Sequence, residues 1–345
     1  MKVFVTGATG FVGAHTVLAL LDAGHQVRLL VRNAEAARRY FAQHGFTVDD
    51  FLIADIRDEG KIRPAMKGCD AVLHAAAIVA LDPARAQETY NNNVQGMKAV
   101  IGSACELGIP NIVYVSSLSA LFWPDLPKTD EETPLAPCKE PYSRSKRDSD
   151  EYVRGLQSQG YPIQITYPSA VVGPDDPKLS EANHGLLAFI TKGIPMTTTG
   201  FQAVDVRDLA QAHRYLLEHP PASDFESSRY IIGGHFYPWK EFRVQLEKGL
   251  GRRILAFHSP AVLLRGMGVM VDALQKIIRF KTQVSAEAMS FVTQWSPADS
   301  GKYLAHSGLQ FRKGEETFAD TFRWMAEAGH LPRRDITRLV NASVT

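Results

Sequence analysis

Lys2-Val3-Phe4-Val5-Thr6-Gly7-Ala8-Thr9-Gly10-Phe11-Val12-Gly13 opens the chain and decides its fold. Residues 2–6 are a short apolar run of strand character. They enter a turn with glycines at 7, 10 and 13, and an apolar run of helical spacing follows from Phe11 to Ala23. Gly24 stands where a helix stop belongs, and residues 27–31 read as a second strand. Strand, glycine turn, helix and strand within about thirty residues is the context that a dinucleotide site requires. The glycines permit the tight turn, the close approach of backbone to a pyrophosphate, and helix-on-sheet packing. The amides at the helix N-terminus then face the phosphates.

The alternation continues. Residues 51–54 form a third strand, ended by Asp55-Ile56-Arg57-Asp58. Residues 71–75 form a fourth, and Ala75, Ala76 and Ala77 leave room for a ligand at its carboxyl end. A long helix, 88–107, stops at Gly108 and Pro110, and residues 112–117 are a fifth strand. Strands separated by helices imply a parallel sheet covered on both faces. Ligands in such sheets bind beyond the carboxyl ends of the strands, where Ser116 and Ser117 stand. Residues 118–140 contain Pro124, Pro127, Pro134 and Pro137, which break both periodicities. Their Phe122 and Trp123 argue against disorder, and we expect a lid that orders over substrate. A helix from Tyr142 to about Ser158 and a sixth strand, 163–167, follow. After Gly173 the alternation fails, and the remainder is mostly helical patches, including 186–192, 241–250, 261–279 and 317–328. The expected division is a cofactor domain of residues 1–172 with 203–232, a smaller, mainly helical substrate lobe of 173–202 with 233–330, and a mobile basic tail, 331–345.

Tyr142 and Lys146 lie four residues apart, on one face of their helix. A free phenol titrates near pH ~10. A neighbouring cation lowers that value and makes the phenol a better proton-transfer group. The net charge of +1 gives no sign of a nucleic-acid partner. Cys69, Cys105 and Cys138 are widely spaced, which suggests a reduced compartment. The eleven histidines contain no H-x-x-x-H pair, and no metal site is expected. Met1 leads straight into a strand, so no leader is expected. Residues 260–278 are apolar but carry Arg265, Asp272 and Lys276, too many charges for a spanning helix. They read as pocket lining, with a membrane-surface helix as the second option.

Cofactor choice turns on the end of the second strand. An acid there commonly accepts bonds from the ribose hydroxyls of NAD. This chain has Val31 and then Arg32, with Arg38 or Arg39 close enough in sequence to add a second cation. A guanidinium grips a phosphate through two parallel bonds, so NADP is expected over NAD.

Taken in order, these motifs resemble the extended branch of the short-chain dehydrogenase/reductase superfamily, which includes the NAD-dependent epimerase/dehydratase family. The set adds Asn93-Val94-Gln95-Gly96, Pro168 to Pro174 and Val204 to Asp208, and covers residues 1 to 235. Residues 27–32 and 200–213 look most like the dihydroflavonol 4-reductase group. The resemblance implies a Rossmann-type, doubly wound α/β fold. It implies that Tyr142 donates a proton to a substrate carbonyl, that Lys146 lowers the phenol's pKa and holds the nicotinamide ribose, and that Ser117 bonds the same carbonyl. Asn93 would support the lysine through water. Gly7, Thr9, Gly10, Phe11, Val12 and Gly13 would hold the pyrophosphate, Asp55 and Ile56 the adenine, and Tyr167, Pro168, Ala170 and Val171 the carboxamide side. The resemblance also implies a homodimer through the helices of residues 88–107 and 142–158.

Departures from the family pattern narrow the reading. Sugar-nucleotide dehydratases place an acidic pair after the catalytic serine or threonine, but Leu118-Ser119-Ala120 follows here and the next acid is Asp125. The reading is a cytoplasmic NADP-dependent carbonyl reductase or alcohol dehydrogenase acting on a moderately apolar small molecule. Ser119, Phe122, Trp123, Leu186, Phe189 and residues 260–274 are the candidate substrate lining. Asn183 keeps open a nucleotide-sugar epimerase with retained NAD. A hydroxysteroid dehydrogenase-like enzyme and a non-catalytic dinucleotide sensor stay open beside it.

Overall fold

A computed structural model describes residues 1–79, 86–124, 126–138, 140–275, 277–278, 280, 282, 284–332 and 335. The first half runs β1 (Lys2–Thr6), α1 (Phe11–Asp22), β2 (Gln26–Val31), α2 (Ala34–Gln43), β3 (Phe51–Ile53), α3 (Glu59–Met66), β4 (Ala71–His74), α4 (Ala86–Glu106), β5 (Ile112–Val115), α5 (Pro141–Ser158) and β6 (Ile163–Pro168). The second half runs β7 (Ala170–Val172), α6 (Glu181–Lys192), β8 (Ile194–Met196), β9 (Gly200–Asp205), α7 (Val206–Glu218), β10 (Arg229–Ile232), β11 (His235–Pro238), α8 (Trp239–Leu250), β12 (Ala256–His258), α9 (Ala261–Gln275), α10 (Ala286–Gln294), α11 (Gly301–Ser307) and α12 (Gly314–Glu327).

Seven strands form one sheet in the order β10-β6-β5-β4-β1-β2-β3. Every pairing in it is parallel. The order reverses between β1 and β4, and that crevice is where ligands enter such sheets. Side chains alternate across each strand. Val3 and Val5 therefore join Val17 and Leu20 of α1 and Leu216 of α7 on one face. Phe4 joins Met97, Val100 and Ile101 of α4 and Val153 of α5 on the other. The Rossmann-type expectation holds.

A separate core gathers Leu186 and Ile190 of α6, Trp239, Phe242 and Leu246 of α8, and Phe318 and Phe322 of α12. Leu186 is fully buried there, and Phe189 packs edge-on against Phe201, Trp239 and Phe242. Both are core residues and do not line a pocket as expected, because α6 turns its apolar stripe toward α8.

The segment after β5 also differs from expectation. Leu118–Leu121 is a buried 3-10 turn. Ala136 N donates to Ala120 O at 2.8 Å, Thr129 N to Pro297 O at 2.9 Å, and Ile231 N to the Glu131 carboxylate at 2.8 Å. The prolines remove donors from any helix, but these donors are matched to fixed acceptors. In its described residues this segment is stitched down and is not a free lid. Asp125 and most of the tail, 331–345, lie outside the described residues.

Gly7 and Gly24 both have left-handed backbone, with φ of +79° and +76°. A Cβ on Gly7 would meet the Ala75 and Ala76 backbone at 2.7 Å, whereas one on Gly24 would meet nothing within 4 Å. Gly24→Ala should cost about 1–2 kcal/mol, the conformational penalty alone. Gly7→Ala should cost measurably more in the same thermal melts. Equal shifts would show that the close approach of β1 to the end of β4 imposes no constraint.

Candidate active site

At the sheet's carboxyl edge the glycine turn is as tight as its sequence demands. A Cβ on Gly13 would lie 2.3 Å from Gly7 O. Helix α1 starts after Gly10 with no side-chain cap. The first-turn amides of Phe11, Val12 and Gly13 precede any acceptor within the helix, and they sit at its positive pole. This cradle fits a pyrophosphate. Thr9 lies within the same turn. Ala75 and Ala76 are half-buried and Ala77 exposed at the end of β4, against Gly7.

Arg32 is exposed just past β2, and its charge acts on Asp55. Asp55 is exposed and doubly bonded to Arg57, with both contacts at 2.8 Å. The Arg57 bonds hold its carboxyl at about 2. Ile56 packs on α4, where a Cβ on Gly96 would come within 2.8 Å of it. Arg38 is bonded to Glu35 and to Asp49, and lies 5.4 Å from the Phe51 ring centroid. It is committed locally and does not supply the expected second cation. Arg39 remains exposed.

Helix α5 begins at Pro141, which presets its first turn. Tyr142 therefore stands at the entrance of the helix and Lys146 one turn deeper. The Tyr142 hydroxyl lies beside the Ser117 side chain. Desolvation pushes the phenol up to about 12, the Ser117 side chain opposes this, and the charge of Glu287 adds to it. Lys146 is buried and donates to Val115 O at 2.8 Å. Desolvation lowers it to about 8, against the pull of Asp150. The expected lowering of the phenol by Lys146 is not what this geometry gives. Burial dominates at Tyr142, and the lysine spends a proton on a strand-end carbonyl.

Asn93 does not turn its side chain to the lysine. Ile78 N donates to its Oδ1 at 2.8 Å, and its Nδ2 donates to Ile78 O at 3.0 Å and Ser145 Oγ at 2.9 Å. It clamps the chain after β4 to the first turns of α5. Ser116 and Tyr167 also face away from the cleft. Ser116 Oγ and Tyr167 OH donate to the Asp150 carboxylate at 2.5 and 3.0 Å, and Arg154 Nε does so at 2.7 Å. Asp150 is fully buried, and desolvation raises its carboxyl despite these three partners. Asp150 and Arg154 continue the four-residue step of Tyr142 and Lys146 along one helical stripe. Extending that step along the sequence would have found them.

Pro168 ends β6, and Ala170 and Val171 lie in β7. That strand pairs with β9 on one side only and so offers its other edge. Asn183 bonds Gly173 N at 3.3 Å, Gly173 O at 3.0 Å and Asp176 at 3.0 Å. Its amide closes that turn and is not available to substrate as expected. Ser119 is buried beside Ser117, to whose Oγ its amide donates at 3.1 Å. Its own hydroxyl has no partner among the described residues.

Helix α10 supplies the facing wall. Phe122 stacks on Trp295 with centroids 5.5 Å apart and meets Phe291 edge-on at 4.8 Å. Trp123 is half-buried and donates its indole N–H to Pro134 O at 2.9 Å. Glu287 accepts a hydrogen bond from Ser143 Oγ, next to Tyr142. Desolvation pushes its carboxyl up to about 7, Ser143 opposes this, and Glu140 and Asp272 add to it. Sequence reasoning missed α10 altogether. Its one local signal is Ser285, whose side chain caps the helix at Ala288 N.

Glu287 carries a pH signature. Its native pKa of about 7 stands above the ordinary 4.5. Between those values the native state binds more protons than the unfolded chain, so this group's contribution falls as pH rises through that window. Glu287→Gln removes the dependence. The variant should gain stability over the parent at pH ~8 relative to pH ~5, by an amount on the order of 2 kcal/mol, read by denaturant titration. An equal difference at both pH values would show that Glu287 ionises freely.

A family model described as the NAD dependent epimerase/dehydratase family matches residues 3–233. A putative dihydroflavonol 4-reductase from Synechocystis is 27% identical over 332 residues, covering 95% of each chain. A cinnamoyl-CoA reductase 1 from Petunia hybrida is 30% identical over 350 residues, covering 96% of this chain and 93% of the relative. A UDP-glucose 4-epimerase structure from Bifidobacterium longum, in complex with NAD+ and UDP, shares the fold with a TM-score of 0.72 at 20% identity, covering 95% of this chain and 99% of that one. The glycine cradle, the Ser117–Tyr142 pair with Lys146 behind it, and these likenesses converge: the chain belongs to the NAD-dependent epimerase/dehydratase family and is an oxidoreductase of the extended short-chain dehydrogenase/reductase superfamily.

Proposed function

We propose that the protein is an NADP-dependent carbonyl reductase of a moderately apolar ketone or aldehyde, or a dehydrogenase of the matching alcohol. One observation carries the proposal: Ser117 and Tyr142 lie together at the carboxyl end of β5, with Lys146 one helical turn behind and bonded to Val115 O. Relatives with reductase names support the direction. A dinucleotide sensor would need only the glycine cradle. The epimerase reading loses the residue that kept it open, because Asn183 is committed to its own turn.

The residues divide the work between them. When bound, the reduced nicotinamide supplies the hydride. Ser117 and Tyr142 donate hydrogen bonds to the carbonyl oxygen, where negative charge develops. Tyr142 then gives up its proton. A phenol held near 12 stays protonated at neutral pH, as a donor must. Lys146, near 8, is mostly cationic at neutral pH and stands one helical turn behind the phenol. Its ammonium would also hold the nicotinamide ribose. Asn93 acts as a positioning residue through Ile78 and Ser145. Phe122, Phe291 and Trp295 form an apolar wall, and the unpartnered Ser119 hydroxyl offers substrate one polar contact.

Residues 1–172 with 203–232 hold the cofactor in this reading, and 173–202 with 233–330 hold substrate. Arg32, exposed past a strand end that lacks an acid, favours the 2′-phosphate. A second copy would dock on the outer face of α4 and α5, which Tyr90 joins through Asp148 at 2.7 Å. Three free cysteines suit a cytoplasmic setting. No described helix is long and apolar enough to cross a membrane.

A panel of aldehydes and ketones, followed by absorbance of NADPH and NADH, tests the reaction. Tyr142→Phe should keep NADPH affinity and lose turnover by roughly two to four orders of magnitude. Near-parental turnover would overturn the assignment. Arg32→Ala should weaken NADPH binding about ten- to hundredfold and leave NADH nearly unchanged, titrated at low salt so that screening cannot mask the contact. Equal affinity of the parent for both cofactors would rule out the arginine's role.

A further inference from the structure

Sixteen large apolar side chains are exposed among the described residues, and eleven of them lie between Leu255 and Phe280. They are concentrated in one stretch and not scattered as on an ordinary surface. Within α9 the polarity is inverted. Val262, Leu263, Met267, Val269, Met270 and Leu274 face outward, with only glycine and alanine at the remaining exposed positions. The two described charged residues turn inward to α10. Arg265 donates to Thr293 Oγ1 at 3.3 Å, and Asp272 accepts from Ala286 N at 2.9 Å. A helix bathed in water shows the reverse arrangement. Just beyond α9, Ile277 is 82% exposed and Ile278 57%.

Charge selects the occupant. Residues 252–281 carry six lysines and arginines and a single acid, Asp272; Arg252 is bonded to Asp335 and Arg265 turns inward with Asp272, which leaves Arg253, Lys276, Arg279 and Lys281 unopposed by any acid of the segment. An apolar face in an acid-poor, cation-rich segment matches acyl chains beneath anionic headgroups. A second copy seated on the same face about a twofold axis would bring like charges together. We propose that α9 and the turn after it dock this protein on the surface of an anionic bilayer, lying in the headgroup layer without crossing it. Helix α10, packed on the inner side of α9, would then stand directly beneath the lipid. The docking stands whatever reaction the site performs.

The test is flotation of the full chain with phosphatidylcholine vesicles and with equimolar phosphatidylcholine–phosphatidylglycerol vesicles, alongside sedimentation of the protein alone. We expect the chain to float with the anionic vesicles, less so at high salt, and far less with the neutral ones. The triple variant Val262→Ser, Leu263→Ser, Met270→Ser changes only exposed positions. It should melt with the parent and bind anionic vesicles at least tenfold more weakly. Failure of the parent to float would overturn the proposal. Flotation that the serine variant retains would move the contact elsewhere and overturn it too, and equal flotation on both vesicles would overturn the choice of anionic lipid. A dimer that the substitutions abolish, without vesicle binding, would give the face to a second copy instead.

Discussion

One buried carboxylate holds the site in register. Asp150 is fully buried and takes bonds from Ser116 on the end of β5, Tyr167 on β6 and Arg154 on its own helix. An ion removed from water with this many partners is costly to disturb, about 3–5 kcal/mol when one partner is lost. Helix α5 therefore cannot rotate or slide against β5 and β6 without breaking the network. Tyr142 and Lys146 lie on the same helical stripe, so their placement against Ser117 follows from a residue that touches neither substrate nor cofactor.

The second half of the chain completes the electrostatics. Desolvation works on Tyr142, Lys146 and Glu287 at once, raising the two acids and lowering the lysine. Each shift moves the group toward its neutral form. Glu287 reaches the site from α10 and hydrogen-bonds Ser143, the neighbour of Tyr142. Its charge state thus bears on the phenol.

The sheet was legible because its strands are apolar runs punctuated by glycine turns, and because parallel connection leaves few topologies. The glycine cradle, Ser117, Tyr142 and Lys146 were legible as spacing. Side-chain direction was not. Tyr167 and Ser116 sit at strand ends yet point into the Asp150 network, Asn183 closes a turn, and Asn93 clamps Ile78. Short elements escaped as well. Helix α3 contains Pro64 and buries only Ile62 and Met66, too little for a periodic signal. The apolar run of α9 reads as pocket lining because periodicity reports that one face differs from another. It does not report which face meets water.

Residues 296–300 form a small knot between distant parts of the chain. Ser296 Oγ donates to Leu126 O, and Ala298 exchanges two bonds with the Gln202 amide, each 2.8 Å. Asp299 N donates to Thr129 O at 2.9 Å, and Ser300 Oγ accepts from Gly233 N at 2.9 Å. At the other end of the preceding excursion, β12 is paired to β8. The stretch of α9 and α10 is thus a loop with both feet fixed independently of its contents. Such a loop can be lengthened, shortened or exchanged between relatives while the sheet and Tyr142 stay where they are. The apolar wall that α10 builds against Phe122 can then change as an interchangeable insert, separately from the helix that carries Tyr142.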